Sequence, residues 1–67
     1  MILPIPQSVV RLYCGNLRFE GRVVDITEGS VVLSLAEIIA DDESVAASIG
    51  TLYINIESID AWAEVDE

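Results

Sequence analysis

Hydrophobic and polar residues alternate along much of this chain with a period of two, which is the pattern of strands that bury one face. The first alternating run is SVVRLYC and the second is LRFEGRVVDI, with the dipeptide GN between them. Gly15 and Asn16 both tolerate positive φ, so we predict a two-residue hairpin there. Gly21, in the middle of the second run, predicts a bulge or a strong bend of the kind that closes a barrel.

Three more strands are predicted after a turn at residues 27–29. The run SVVLSLAEII is β-branched and aliphatic, which indicates a strand buried on both faces. LYINI predicts the fourth strand and IDAWAEV the fifth, with Glu57 and Ser58 between them. The alternation in the last run places Ile59, Ala61, Ala63 and Val65 on one face and Asp60, Trp62 and Glu64 on the other.

These elements predict one all-β domain over residues 9–65, a small and strongly bent antiparallel sheet of five strands or SH3-like open barrel. Two prolines within residues 1–8 favour an extended N-terminal arm, so an N-terminal helix is expected to be short or absent. We predict an acidic loop at about residues 40–48, although residues 36–48 also fit a short helix. Residues 66–67 form an acidic C-terminal end.

Composition points to self-association. A domain of 67 residues leaves a large part of its surface exposed, yet 52% of its residues are hydrophobic. Cys14 is the only cysteine and there is no histidine, so we expect no internal disulfide, no metal site and no cofactor. The uncharged run at residues 1–10 is too short to cross a bilayer and does not have the features of a signal peptide. We therefore expect a cytoplasmic protein without a membrane partner.

Charge is unevenly distributed. The chain has twelve acidic residues and three arginines, and residues 37–67 hold nine acids and no base. A polyanion repels nucleic acid and loses the release of counterions that drives most such binding. An acidic surface of this kind serves solubility, attracts basic protein segments or reflects adaptation to high salt. Arg18 and Arg22 lie on one face of the second strand with Arg11 beside them; they pair with acidic residues or form a modest phosphate-contacting patch.

Enzymatic activity is not expected. The chain has no histidine and no lysine, and it contains no glycine-rich phosphate loop or nucleophile motif. Its carboxylates fall in turns and at the tail, without a predicted pocket on which they converge. The acidic residues 41–43 do not have the spaced ligands and the glycine of a calcium loop, which favours a solvated turn.

The order of these parts resembles the Sm-like family, which includes the LSm and Hfq-type proteins. The resemblance covers residues 9–62 and rests on the GN hairpin, Phe19 and Gly21, the VVL motif at residues 31–33, and INIESI near the end. It implies an Sm fold and a homomeric ring of five to seven copies, in which the fourth strand of one subunit pairs with the fifth strand of the next. Apolar edge strands favour such an assembly independently. The interface candidates are Leu52, Tyr53, Ile54, Ile56, Ile59, Ala61 and Trp62.

The resemblance also implies RNA binding near the pore, through the turn after the second strand and the turn between the fourth and fifth. The first turn normally offers a residue for base stacking, but no aromatic lies between Asp25 and Leu35. Stacking contributes ~1–3 kcal/mol per base, so the implied uridine site is degraded or altered. The second turn normally offers Arg-Gly or Lys-His and here is Asn55-Ile56. The RNA-binding candidates are Thr27, Gly29, Ser30 and Asn55, together with Arg18 and Arg22.

Three functional interpretations follow. The first is an Sm-like ring that binds single-stranded RNA as an RNA-chaperone-type scaffold with an altered uridine site. The alternative is an acidic homo-oligomeric scaffold that recruits basic protein segments and binds no RNA. A third interpretation, a monomeric SH3-like interaction barrel, would be supported by a particle of one subunit's mass.

Overall fold

Five strands make up nearly all of the structure, a computed structural model that describes residue 4 and residues 6–65. The strands are β1 (Val9–Cys14), β2 (Leu17–Ile26), β3 (Ser30–Ile39), β4 (Val45–Asn55) and β5 (Ala61–Glu64). A short 3-10 turn at Ile56–Ser58 joins β4 to β5 and is the only helical element in the described part of the chain. The predicted all-β class and five-strand count are confirmed.

All five strands belong to one antiparallel sheet in the order β4-β3-β2-β1-β5. The β1–β2 hairpin has the predicted two-residue turn, because Cys14 pairs with Leu17 and Gly15 adopts a φ of 62°. Within the described residues, the order leaves one side of β4 and one side of β5 without a partner strand. Both strands predicted to meet in an assembly are therefore edges of the sheet.

The core draws its buried side chains from β1, β2, β3 and β4, together with Ile59 before β5. Leu12 and Leu33 are the largest side chains that are completely buried. Val31, Val32 and Leu33 are all buried although they alternate in direction, which confirms that this part of β3 is covered on both faces. The eight buried residues of the main cluster are Val10, Leu12, Val23, Val31, Leu33, Ala36, Ile54 and Ile59.

Gly21 allows β2 to approach β3 closely at the bend. A Cβ atom at this position would lie 3.0 Å from the carbonyl oxygen of Ser34 and 3.2 Å from the Cα atom of Ala36. The register between β2 and β3 also shifts between Glu20 and Arg22. A strand with a local irregularity bends more strongly, so the mid-strand glycine marks the bend that the sequence predicted.

Leu35 interrupts the burial of β3. Its side chain is 80% exposed and its φ is 53°, in the left-handed region that non-glycine residues seldom occupy. The register between β3 and β4 shifts here, between the Leu33–Leu52 and Ala36–Gly50 pairs. The prediction of burial on both faces is therefore wrong at this bulged residue.

The acidic loop is shorter than predicted. It spans residues 40–44, where Ala40 N donates to Ser44 O at 2.8 Å and Glu43 N donates to Ala40 O at 2.9 Å. Residues 45–48 belong to β4, and the alternative of a short helix over residues 36–48 is wrong. The sequence VAASIG concealed the strand because residues 45–50 are exposed on both faces, which removes the alternation.

The predicted faces of the last strand are also corrected. Trp62 packs against the core opposite Leu12, while Ala61 and Ala63 are exposed. Ile59 is buried as well, but it precedes β5 and follows the 3-10 turn. The irregular backbone at residues 59–60 resets the alternation, so Ile59 and Ala61 do not share a face.

The two predicted ends of the chain are only partly described. Residues 1–3 and 5 of the arm and all of residues 66–67 fall outside the described residues. Where the arm is described, Pro6 and Gln7 form a turn, and Gln7 N donates to Val23 O at 2.6 Å. This part of the arm is not simply extended. None of the described helical segments has the length and apolar character needed to span a membrane.

Candidate nucleic-acid interface

Two turns that are distant in sequence meet where β3 begins and β4 ends. Ser30 at the start of β3 pairs with Asn55 at the end of β4, and Ile56 N donates to Gly29 O at 2.9 Å. Residues 27–30 and 55–58 therefore form one continuous region, here called the paired-turn surface. It brings together four of the six predicted RNA-binding candidates: Thr27, Gly29, Ser30 and Asn55.

Thr27 organises the first turn. Its Oγ1 atom accepts a hydrogen bond from Ser30 N at 3.0 Å, and its own N–H donates to Ser30 O at 2.9 Å. A hydroxyl that bonds to the backbone a few residues on is a common way to fix a turn. The side chain of Thr27 thus holds the turn in shape, while Glu28 and Gly29 at its tip are exposed.

The side-chain amide of Asn55 has one atom that caps a turn and one that is free to contact a ligand. Its Oδ1 atom accepts a hydrogen bond from Glu57 N at 2.9 Å and so caps the 3-10 turn. Its Nδ2 group donates to none of the residues that the structure describes, and the residue is exposed. A primary amide has two N–H donors on that nitrogen, so Asn55 presents donors to solvent from a fixed position.

Tyr53 adds an aromatic ring that the sequence analysis had placed only at the subunit interface. It lies two residues before Asn55 on β4, so the two side chains leave the same face of the strand. The ring is 69% exposed. The turn at residues 27–30 contains no aromatic residue, and Tyr53 is the exposed aromatic side chain next to it in the sheet.

The two arginine candidates lie elsewhere. Arg18 stands at the start of β2, whereas the turn at residues 27–30 follows the end of that strand. Arg22 is in the middle of β2, and its Nη1 atom donates to Gln7 O at 2.6 Å. The structure therefore does not bring the predicted cations to the paired-turn surface.

Arg18 belongs instead to an ionic network, here called the Arg11–Arg18 cluster. Glu43 joins the two arginines: Oε1 is 2.9 Å from Arg11 Nη1 and Oε2 is 3.0 Å from Arg18 Nη1. Arg11 also pairs with Glu20 at 3.0 Å, and Arg18 pairs with Asp41 at 3.3 Å and donates to the carbonyl of Ala40. Both arginines are thus partnered by the acidic surplus, as one of the two sequence interpretations predicted.

Arg11 and Glu43 each favour the ionised form of the other. Hydrogen bonding to Glu43 and then to Glu20 raises the pKa of Arg11. The hydrogen bond from Arg11, followed by its charge, lowers the pKa of Glu43 below the ordinary value of 4.5. The neighbouring carboxyl of Asp42 has a lowered pKa because the hydroxyl and backbone N–H of Ser44 donate to it. Arg11, Asp42 and Glu43 therefore stay ionised at neutral pH.

The lowered pKa of Glu43 predicts a pH dependence of stability. A carboxyl whose pKa falls on folding stabilises the fold above its unfolded value of 4.5, and this contribution is lost as the pH falls through the lower folded value. We expect Glu43→Gln to lower the melting temperature slightly at neutral pH and to have no effect well below pH 4.5. Thermal denaturation of both proteins across this range checks it; a difference that stays constant with pH would contradict it.

The predicted interface side chains divide into two groups. Ile54 and Ile59 are buried in the chain's own core, and Leu52, Ile56 and Trp62 pack partly against it. These five side chains contribute to the core of one subunit, and their assignment as interface side chains stays a prediction. Tyr53 and Ala61 are exposed on the edge strands β4 and β5 and stay interface candidates.

Candidate groups for other chemistry are few. Within the described residues, no three carboxylate, cysteine or histidine side chains form a cluster that fits a metal ion. Cys14 is half-buried and packs against the core rather than being fully enclosed, and burial followed by the charge of Asp60 raises the pKa of its thiol.

Comparison with known proteins identifies the fold. No family model and no curated protein matches the sequence. Among solved structures, the chain is similar to the Pyrococcus abyssii Sm protein in complex with a uridine heptamer, with a TM-score of 0.80. The two chains are 24% identical, and the match covers 90% of this chain and 86% of the other. This chain has the Sm fold, which confirms the resemblance found in the sequence at the level of the fold.

Proposed function

We propose that this chain is an Sm-fold scaffold that binds single-stranded RNA at the paired-turn surface. The observation that carries the proposal is the pairing of Ser30 with Asn55 and of Gly29 with Ile56, which joins two exposed polar turns into one surface. The similar Sm protein is in complex with a uridine heptamer, which supports uridine-containing RNA as the ligand class. A cytoplasmic location is part of this proposal.

The chemistry of the surface defines how the RNA is held. The Nδ2 group of Asn55 is positioned to donate to a base carbonyl, and such contacts carry base selectivity. The exposed ring of Tyr53 offers a stacking surface on the same strand. Because Arg18 and Arg22 lie outside the surface, it forms few phosphate contacts, and affinity is expected to be modest and to depend weakly on salt.

A ring is the proposed assembly. β4 and β5 are the two edges of the sheet, so a contact between β4 of one subunit and β5 of the next continues the sheet across the interface. Such a head-to-tail contact closes into a cyclic oligomer when the rotation per subunit allows it. We propose a homo-oligomer of five to seven subunits, which would repeat the paired-turn surface around one axis.

Native mass spectrometry at low ionic strength tests the assembly and the ligand together. The protein is mixed with oligo-uridine or with oligo-adenine of equal length. A cyclic oligomer that retains one oligo-uridine per assembly is the expected result. A particle with the mass of one subunit would refute the ring, and a ring that retains neither oligonucleotide would refute RNA binding.

Replacing Asn55 with serine should weaken binding of oligo-uridine by roughly two- to tenfold, the range expected for one neutral hydrogen bond of ~0.5–1.5 kcal/mol. Serine keeps an oxygen that can cap the 3-10 turn but removes the amide donors. Fluorescence anisotropy with labelled oligo-uridine measures the effect. Asn16→Ser is the matched control, because Asn16 is an exposed asparagine in the β1–β2 turn. Equal affinities of the two variants would contradict the role of Asn55.

A second candidate function is supported by the charge of the C-terminal half. Residues 37–67 contain nine acidic residues and no basic one, and Asp41, Asp42, Glu57 and Asp60 are exposed. An acidic ring without RNA would suit the recruitment of basic protein segments. Neutralising the loop at residues 41–43 or the acids of residues 60–67 would then weaken capture of a basic peptide. Under the first proposal, the same changes would leave RNA affinity unchanged or increase it.

A further inference from the structure

The Arg11–Arg18 cluster differs from ordinary surface ion pairs in how Glu43 is held. Its two carboxylate oxygens are divided between two arginines, Oε1 with Arg11 Nη1 at 2.9 Å and Oε2 with Arg18 Nη1 at 3.0 Å. The two non-bridging oxygens of a phosphodiester can bridge a pair of guanidinium groups in the same way, because arginine binds carboxylates and phosphates with the same donor geometry. Glu43 thus occupies a position that fits a backbone phosphate.

The arginines are held in place by more than Glu43. Arg11 donates from Nε and Nη2 to Glu20 Oε1 at 3.2 and 3.0 Å, and these two residues are direct partners in the β1–β2 ladder. This leaves Nη1 of Arg11 directed at Glu43. The side chains of Arg11 and Arg18 are only 20% and 23% exposed, so both lie against the sheet. A site with fixed donors loses little conformational entropy when an anion binds.

The loop that supplies Glu43 is exposed. Residues 41–44 are all exposed, and the side chains of Asp41 and Glu43 are 109% and 59% exposed. Glu43 has a φ of 69°, a left-handed conformation that is unfavourable for a residue with a Cβ. Exposed ion pairs contribute little to stability. A competing anion can therefore displace the Glu43 side chain while the Ala40 carbonyl still accepts a hydrogen bond from Arg18.

We propose that Arg11 and Arg18 form a binding site for the phosphate backbone of single-stranded RNA, which Glu43 of the chain's own loop masks by bridging the two arginines. The site is separate from the paired-turn surface and does not rest on base recognition there. It supplies the phosphate contact that the paired-turn surface does not have. In the masked state Arg11 and Arg18 are neutralised, so the acidic protein binds polyanions weakly.

Two variants of the same loop test the masking. Glu43→Gln removes the bridging charge. Asp42→Asn removes an equal charge at the neighbouring residue, whose side chain contacts Ser44 and neither arginine. Their affinities for fluorescein-labelled oligo-uridine are compared by anisotropy at low ionic strength. We expect Glu43→Gln to bind roughly three- to tenfold more tightly than Asp42→Asn, from the release of two exposed ion pairs. Equal affinities would overturn the proposal.

A double variant identifies the site itself. The gain should disappear in Glu43→Gln/Arg18→Gln, because the phosphate loses one of its two arginines. A gain that persists there would show a general effect of charge and would also overturn the proposal. Repeating the comparison with Asn55→Ser in both proteins separates the two sites. The higher affinity of Glu43→Gln for oligo-uridine should remain when Asn55 is also replaced. If the paired-turn surface does not bind RNA, Asn55→Ser alone would leave the affinity unchanged.

Discussion

Replacing Leu33 with alanine is expected to destabilise the fold by about 2–5 kcal/mol, the range for large-to-small changes at buried leucines. Leu33 is completely buried and belongs to the main core cluster on the central part of β3. A chain of 67 residues has a total stability of only roughly 3–10 kcal/mol at ~0.05–0.15 kcal/mol per residue. The variant should therefore lose a large share of its stability and unfold at much lower urea concentration.

Leu35→Ala is the matched control for this prediction. The same substitution two residues away on β3 removes a side chain that is 80% exposed, so a change within about 0.5 kcal/mol is expected. Urea denaturation of both variants should be followed at equal protein concentration, because assembly couples stability to concentration. Similar losses of stability in the two variants would show that the burial pattern of β3 is wrong.

Gly21→Ala should destabilise the protein by roughly 1–3 kcal/mol, as expected when an atom is inserted into a packed region. The added Cβ would lie 3.0 Å from Ser34 O and 3.2 Å from Leu33 Cβ, and the first of these is a backbone atom that can move only with β3. The strain would open the bend between β2 and β3 that brings the edges of the sheet into position. We expect a lower melting temperature and weaker assembly.

Gly29→Ala provides the comparison. A Cβ at Gly29 would meet no atom within 4 Å, and its φ is not positive. Its melting temperature should stay close to that of the wild type. Thermal denaturation by circular dichroism distinguishes the two variants, and native mass spectrometry reports their assembly. A Gly21→Ala protein that is as stable as Gly29→Ala would rule out the close approach of β2 and β3 as a constraint on the fold.

The parts of the fold that the sequence predicted correctly are those with a local signal. The GN hairpin depends on two residues that tolerate positive φ, and the bend depends on one glycine within an alternating run. Where both faces of a strand are exposed, as at residues 45–50, the alternation disappears and the start of β4 was missed. The phase of β5 was wrong because the irregular residues 59–60 reset the alternation before Trp62.

The candidate site shows the same division. Thr27, Gly29, Ser30 and Asn55 were proposed from resemblance, and the pairing of Ser30 with Asn55 places them together. Arg18 and Arg22 were chosen because they are cations on one strand face, but a single strand does not show which loop will fold over it. The contact of Glu43 with Arg11 and Arg18 joins residues 25 or more positions apart. Such a contact has no local signature in the sequence.

The all-β class, the turn between β1 and β2, the bend at Gly21 and the charge asymmetry can all be predicted from the sequence, because each follows from residue type and short-range spacing. The folded chain adds that two turns share one surface and that an acidic loop neutralises the arginines. These depend on strand order and register, which are set by the packing of the whole core. One buried face therefore fixes both the position of the paired-turn surface and the partner of each charge.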